Sequence, residues 1–188
     1  MGEVSMTHDE LCERGKRWLS GTRRCNPVFS RCASCAEIPD AIGWSSDGST
    51  VIECKTSLSD FYADKKKRFM WQHPEHENWR LNRDRITLKR AKEEGFKLIE
   101  VPMMGNFRFY MCEPGIITPA MVEEHAPDHG LVWKDGRKMT VVRVAPERKL
   151  VDRESEIRFL RFAIINGKTP HGAEQVQDES QQSLALEA

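Results

Sequence analysis

The chain has 188 residues, of which 39% are hydrophobic and 31% charged, and its 29 Lys/Arg balance its 29 Asp/Glu. This describes one globular domain of ordinary size with a heavily charged surface, and no apolar run approaches the roughly 20 residues of a membrane span. The acidic, polar start MGEVSMTHDE does not read as a signal peptide, so the six cysteines are expected as reduced thiols in a cytoplasm, not as a disulfide framework.

In chain order, Thr7-His-Asp-Glu10 predicts a capping box opening a helix to about Ser20, with an apolar stripe of Leu11, Gly15, Trp18 and Leu19 and a stop at Gly21. Residues 27–30 read as a short strand. Ile38–Trp44 and Thr50–Lys55 read as strands joined across Asp47-Gly48, a strong hairpin signal. Ser57 with Asp60 caps a helix to about Phe69, residues 71–79 form a loop, and a basic helix runs from about Leu81 to Glu94, ended by Gly95. His73-Pro-Glu-His76 has ligand-like spacing but contains a proline and is read as loop.

Beyond it, Lys97–Val101 and Phe107–Cys112 are strand-like, Pro114-Gly115 is a turn, and Pro119 opens a short helix. Leu131–Lys134 and Met139–Val144 form a hairpin across Asp135-Gly136, and Ser155–Ile165 is an amphipathic helix ended by Asn166-Gly167. After Gly167 the chain loses aromatics and becomes rich in Gln, Ser and Glu, so 167–188 is expected as a disordered tail on a single domain spanning 1–166. The element order predicts a mixed α/β sheet flanked by helices.

The neutral total hides segregation. Between Lys65 and Lys92 there are ten Lys/Arg against Glu75, Glu77 and Asp84, a local excess suited to a polyanionic partner and equally to a solvated helix face. Trp71 and Trp79 flank the loop inside this stretch; they can stack on unpaired bases or anchor the loop to a core.

The hairpin collects charge of another kind. Centring its turn on Asp47-Gly48 pairs 44 with 51, 42 with 53 and 40 with 55. Asp40, Glu53 and Lys55 then project on one face, with Ile52 and Cys54 on the other. Two converging carboxylates favour a divalent cation between them, and oxygen ligation suits Mg²⁺ or Mn²⁺. Lys55 beside such a cation can hold water or steady charge on a phosphate. A salt-bridged Asp–Lys pair on a wet hairpin face is the plain alternative.

Pro39-Asp40, a gap of a dozen residues, and Glu53-Cys54-Lys55 after Val51-Ile52 resemble the signature of the PD-(D/E)xK nuclease superfamily. The continuation TSLSDFYADKKK and the later FRFYMCEPGIITPAMVEEH are similar to bacterial and phage members, among them the MmcB-like DNA repair proteins. The resemblance covers about residues 8–145, its specific part lies in 37–67, and 71–103 looks like a basic insertion.

It implies a restriction-endonuclease-like fold and metal-dependent hydrolysis of nucleic acid, DNA favoured over RNA. Asp40, Glu53 and the Cys54 carbonyl would hold Mg²⁺ or Mn²⁺, Lys55 would orient water, and Glu10 of the first helix would complete the site. Glu13, the competitor, lies opposite the apolar stripe. Asp60 and Asp64 are read first as helix-cap or i,i+4 partners, with support of the site as the second possibility. Lys65, Lys66, Lys67 and Arg68 would meet phosphate next to the site, and Arg80, Arg83, Lys89 and Arg90 would extend the track. No membrane is expected as a partner, and a homodimer is among the assemblies the sequence allows.

The cysteines offer a rival. Cys25, Cys32 and Cys35, with Cys12 on the first helix, can supply four thiolates for zinc or an iron–sulfur cluster. Small buried thiols are the favoured reading. The functional alternatives are therefore a catalytically silent nucleic-acid-binding module and a zinc-stabilised adaptor.

Overall fold

The structure is a computed structural model that describes residues 6–30, 37–64, 69–75, 80–82, 86–166, 168 and 170–171. It is mixed α/β. Helix α1 (His8–Gly21) leads into β1 (Val28–Phe29), β2 (Ala41–Ser45) and β3 (Gly48–Cys54), then α2 (Leu58–Asp64). A second group follows: β4 (Phe69–Gln72), β5 (Arg80–Asn82), α3 (Leu88–Glu93) and β6 (Lys97–Glu100). The chain then returns through β7 (Phe107–Cys112), α4 (Pro119–His125), β8 (Gly130–Asp135), β9 (Lys138–Arg143) and α5 (Arg153–Ile165). Among the described residues, no helix is long and apolar enough to cross a membrane.

The main sheet has six strands in the order β1-β2-β3-β7-β8-β9. Its centre is parallel, β3 against β7 and β7 against β8, and its flanks are antiparallel. Central strands covered on both faces must be apolar on both, and β3 is buried from Ser49 to Cys54. One face carries Ile52, Cys54, Phe109 and Met111 against Leu11, Cys12, Trp18 and Leu19 of α1. On the other face Val51 packs with Phe159 and Ala163 of α5, while Tyr110 and Leu131 pack with Phe61 of α2 and Val122 of α4.

The capping box is present: Thr7 accepts from the Glu10 amide, and the Glu10 carboxylate accepts from the Thr7 amide. The hairpin register differs from the sequence expectation by two residues. Ser45 pairs with Gly48 and Ala41 with Ile52, so Ser46-Asp47 forms the turn and Gly48 opens β3. Gly48 takes φ +111°, and a Cβ there would lie 2.5 Å from Asn106 Oδ1. The two-residue shift preserves the faces of the β3 side chains, but Asp40, just before β2, departs from expectation: its carboxylate turns to His8 and Cys12 on the α1 side, not to the face of Glu53 and Lys55.

The basic segment departs further from expectation. In place of a loop over 71–79 and a helix over 81–94, β4 pairs with β5 and β6 in a second, three-stranded sheet, and α3 begins only at Leu88 behind the Thr87 cap. Strand pairing by Leu81 and Asn82 overrides helical composition there. Trp71 is buried in this sheet's own small core with Ile86, Ala91 and Phe96, so it anchors the segment and does not offer a face for stacking.

Candidate active site at the end of the central hairpin

Of the residues predicted to carry chemistry, Glu53, Cys54 and Lys55 stand at the C-terminal end of β3, beside the parallel centre of the sheet, and Asp40 reaches the same strand end through the Cys54 amide. Glu53 and Lys55 alternate onto the α2/α4 face. Parallel pairing sets Val51 beside Arg108 and Glu53 beside Tyr110, so Arg108 and Tyr110 project from β7 on that same face. Asp40 lies one residue beyond the Ala41–Ile52 pair, which puts it opposite Glu53 and not opposite Lys55.

Arg108 is fully buried and organises the carboxylates. Its Nη2 lies 3.3 Å from Glu53 Oε1 and its Nη1 2.5 Å from Glu37 Oε1. Nη1 also donates to the Met104 carbonyl at 2.7 Å, and Nε donates to His129 Nε2 at 3.1 Å. Burial works against the charge on Arg108, but Glu37 and Glu53 outweigh it and hold the guanidinium above its ordinary pKa. The buried arginine is therefore a permanent cation.

Lys55 is 2% exposed, with its ammonium 3.1 Å from Asp64 Oδ1 and 3.6 Å from Asp60 Oδ1. The other Asp64 oxygen accepts from the Tyr110 hydroxyl at 3.0 Å, and burial together with the Asp64 charge pushes the Tyr110 phenol up, so it stays a donor. Asp60 and Asp64 thus both serve Lys55, one turn apart on α2. The Tyr110 ring stacks on His129 at 4.6 Å and 11°. Burial pushes His129 down to about 4, and neutral His129 fits its surroundings: Nδ1–H faces Asp128 Oδ1 at 2.9 Å while Nε2 accepts from Arg108. A cavity of about 20 Å³, room for a single water, opens onto Asp64, Tyr110 and His129 beneath Phe61, Tyr62 and His125.

Asp40 sits at the strand end. Its Oδ2 accepts the Cys54 amide hydrogen at 2.8 Å and lies 3.3 Å from His8 Nε2. The first helix therefore brings His8 to Asp40, whereas the exposed Glu10 carboxylate is engaged in the capping box, and its hydrogen bonds from Thr7 lower its pKa. Cys12 lies beneath, its sulfur 3.5 Å from His8 Nδ1. A hydrogen bond with Cys12, then burial, holds the Cys54 thiol well above its ordinary pKa.

No family model and no curated protein matches this sequence. Among solved structures, a protein of unknown function from Silicibacter pomeroyi is similar at 21% identity over 96% of each chain, with a TM-score of 0.49.

Of the proposed track, Lys65, Lys66, Lys67, Arg68 and Arg83 lie outside the described residues, as do the side chain of Arg80 and residue Trp79. Lys89 and Arg90 are exposed on α3, each facing a glutamate one turn on: Lys89 with Glu93 at 3.9 Å, Arg90 with Glu94 at 2.6 Å. The Glu94 carboxylate raises the pKa of Arg90. Of the candidate zinc thiols, Cys12 and Cys25 are buried, and Cys32 and Cys35 lie outside the described residues. His73 Nδ1 accepts from the Glu75 amide at 3.1 Å, a local turn contact.

Sequence reasoning missed Arg108, Glu37, His129 and His8. A signal existed for two of them. Arg108 is the one charge inside the apolar run Phe107–Cys112, and a charge in a central strand demands a buried counter-charge. His8 and Cys12 share an i,i+4 spacing on a helix whose start the capping box fixes.

Proposed function

We propose that the chain is a metal-dependent phosphodiesterase acting on nucleic acid, DNA favoured. Asp40 and Glu53 would hold Mg²⁺ or Mn²⁺ together with the Cys54 carbonyl, and Lys55 would orient the attacking water. The observation that carries this reading is that Asp40 reaches the end of β3: its Oδ2 accepts the Cys54 amide hydrogen at 2.8 Å, which sets it against the strand end that carries Glu53, the Cys54 carbonyl and Lys55. Glu53 and Glu37 lie against Arg108 and Asp64 against Lys55, and these three carboxylates and Asp40 are each 15% exposed or less. His8 beside Asp40 adds positive charge only when protonated. Carboxylates so little exposed are costly unless met by positive charge, and oxygen ligands at such a strand end suit a divalent ion.

A bound ion of this kind activates water and neutralises charge on the scissile phosphate. The chain's own residues do the rest. Asp64 and Asp60 fix the Lys55 ammonium, and Tyr110 fixes Asp64, so the ammonium is preorganised and needs little reorientation as charge develops on the phosphate. Arg108 holds one Glu53 oxygen and so fixes the direction of the carboxylate. Glu10 has no part in this scheme beyond capping α1.

A second reading, a nucleic-acid-binding module without turnover, draws on the same pairs: Arg108 with Glu53 and Asp64 with Lys55 already neutralise one another in part. The deciding experiment incubates the protein with circular single-stranded and duplex DNA in Mg²⁺, Mn²⁺ or EDTA. Cleavage should need the metal, and Asp40→Asn and Glu53→Gln should each lower it by about 10²-fold or more with an unchanged circular-dichroism spectrum. Metal-independent binding with no cleavage in any arm selects the silent module, and wild-type turnover by either variant in Mn²⁺ removes the proposed ligands.

A further inference from the structure

The first turn of α1 brings two side chains that the phosphodiester reading leaves unused, His8 and Cys12, up to Asp40. His8 and Cys12 are four residues apart and so stand one above the other on one helix face. Cys12 Sγ lies 3.5 Å from His8 Nδ1, and His8 Nε2 lies 3.3 Å from Asp40 Oδ2. One donor atom from each of the three residues falls within 4.8 Å of the others. We infer that His8, Cys12 and Asp40 form a binding site for a zinc-class divalent ion, with the fourth position open to water. This goes beyond the phosphodiester reading: it shares Asp40 with it but requires neither Glu53, nor Lys55, nor turnover, so zinc binding and cleavage are read out separately.

The donor set chooses the class of ion. One imidazole, one thiolate and one carboxylate are borderline-soft ligands that select Zn²⁺ or Co²⁺ and reject Mg²⁺. They carry two negative charges, so a divalent ion leaves the site neutral, which matters where Cys12 is 4% exposed. Bonds of about 2.0–2.3 Å to tetrahedral zinc imply donor–donor edges of about 3.3–3.7 Å. The His8 ring turns one nitrogen to each partner, so a single nitrogen ligates; with Nε2 as ligand its 3.3 Å contact to Asp40 already has that length. The two edges to the Cys12 sulfur, with all three donors within 4.8 Å of one another, then close by about 1 Å around the ion.

Access and surroundings agree with a small occupant. His8 is 34% exposed and forms the open side, while Cys12 forms the floor against the core. The same three residues could be drawn as a Cys–His–Asp nucleophilic relay, but an electrophilic substrate cannot reach a sulfur packed among Leu11, Ile52 and Phe109. An ion can. As it binds, the Cys12 thiol proton leaves to solvent. The Cys54 thiol, hydrogen-bonded to Cys12, then donates to the thiolate from behind, the support that metal-bound sulfur needs.

The test uses the full chain, reduced, stripped with chelator and titrated with Zn²⁺ or Co²⁺ alone. One ion per chain should bind with micromolar or tighter Kd. The Co²⁺ form should show intense visible bands of a tetrahedral site and a near-ultraviolet sulfur-to-cobalt charge-transfer band, both unmoved by millimolar Mg²⁺. His8→Gln, on the half-open first turn, should weaken Zn²⁺ at least about tenfold, and Cys12→Ser should also abolish the charge-transfer band. Should Cys12→Ser fail to fold by circular dichroism, His8→Gln decides alone. A Cys32→Ser/Cys35→Ser double variant should keep both stoichiometry and band. Affinity weaker than micromolar, wild-type binding by His8→Gln, a cobalt spectrum without sulfur charge transfer, displacement by Mg²⁺, or loss of the ion only in the Cys32/Cys35 variant would each overturn the proposal.

Discussion

Arg108 and His129 show how far single residues bind this core together. The guanidinium reaches Glu37, Glu53, a backbone carbonyl and His129 at once, a fork of donors that lysine cannot reproduce. His129 is useful to it only as a neutral acceptor. The unfolded chain takes up a proton on this histidine near its ordinary value of 6.5, whereas the folded protein resists until about 4. Between those values the unfolded state binds more protons, so stability is fully present above about 6.5 and is lost as pH falls toward 4. The loss attributable to His129 is on the order of 3 kcal/mol. Urea unfolding at pH 7 and pH 4.5 should show wild type losing more stability than His129→Gln, which has no imidazole to protonate. Equal losses would mean that the imidazole is not held neutral. The arginine was missed, although a lone charge in an apolar strand is a signal the sequence carries. Its partners carry no such signal, because Glu37 and Glu53 approach only through the sheet pairing and no local spacing links them to it.

At the scale of elements, the legible parts were those whose signals are local. The Thr7–Glu10 box placed α1, Pro119 placed α4, and the short apolar run Phe107–Cys112 placed β7. The hairpin was legible in existence and in face but not in register, since Asp47-Gly48 marks the turn without saying whether glycine lies inside it. Gly48 lies just after it because Asn106 needs the space: Asn106 Oδ1 accepts from the Ser49 amide and hydroxyl, and Arg153 donates to the same oxygen. Gly48→Ala would face both the positive φ and the 2.5 Å approach to Asn106. A loss of at least about 2 kcal/mol is expected, read as a lower urea midpoint with unchanged slope. Gly48→Asn, which tolerates positive φ, should not rescue it, because the collision remains; rescue would show that backbone strain alone sets the requirement. The basic segment was the least legible element. Its Arg- and Lys-rich composition is that of a helix, yet β5 exists only because β4 pairs with it.

For the whole molecule, the proposed function needs the carboxylates and lysine at the end of β3 and the basic stretch between Lys65 and Lys92 to do different work. Lys55 tests the inside. Removing it alone would strand Asp64, 3% exposed, beside Tyr110, and an unpaired buried carboxylate costs about 3–5 kcal/mol, enough to confuse unfolding with loss of catalysis. Lys55→Met with Asp64→Asn removes both charges at nearly constant volume, and such paired replacement is close to neutral for stability. The Asn amide can still meet the Tyr110 hydroxyl. This double variant should stay folded and bind DNA as wild type while losing turnover, because the ammonium acts on charge that develops in the transition state. Changing Lys65, Lys66, Lys67 and Arg68 to Gln tests the outside and should do the reverse. Every phosphate that a removed cation had neutralised should lower the slope of log affinity against log salt by about 0.9 on duplex or 0.7 on single strands, with turnover at saturation largely kept. Lys89 and Arg90, each already facing a glutamate, should add less to that slope than the quartet does. If the Lys55/Asp64 variant cleaves normally, the hairpin lysine is an ion-pair partner and no more; if the quartet leaves the salt slope unchanged, that run is a solvated face.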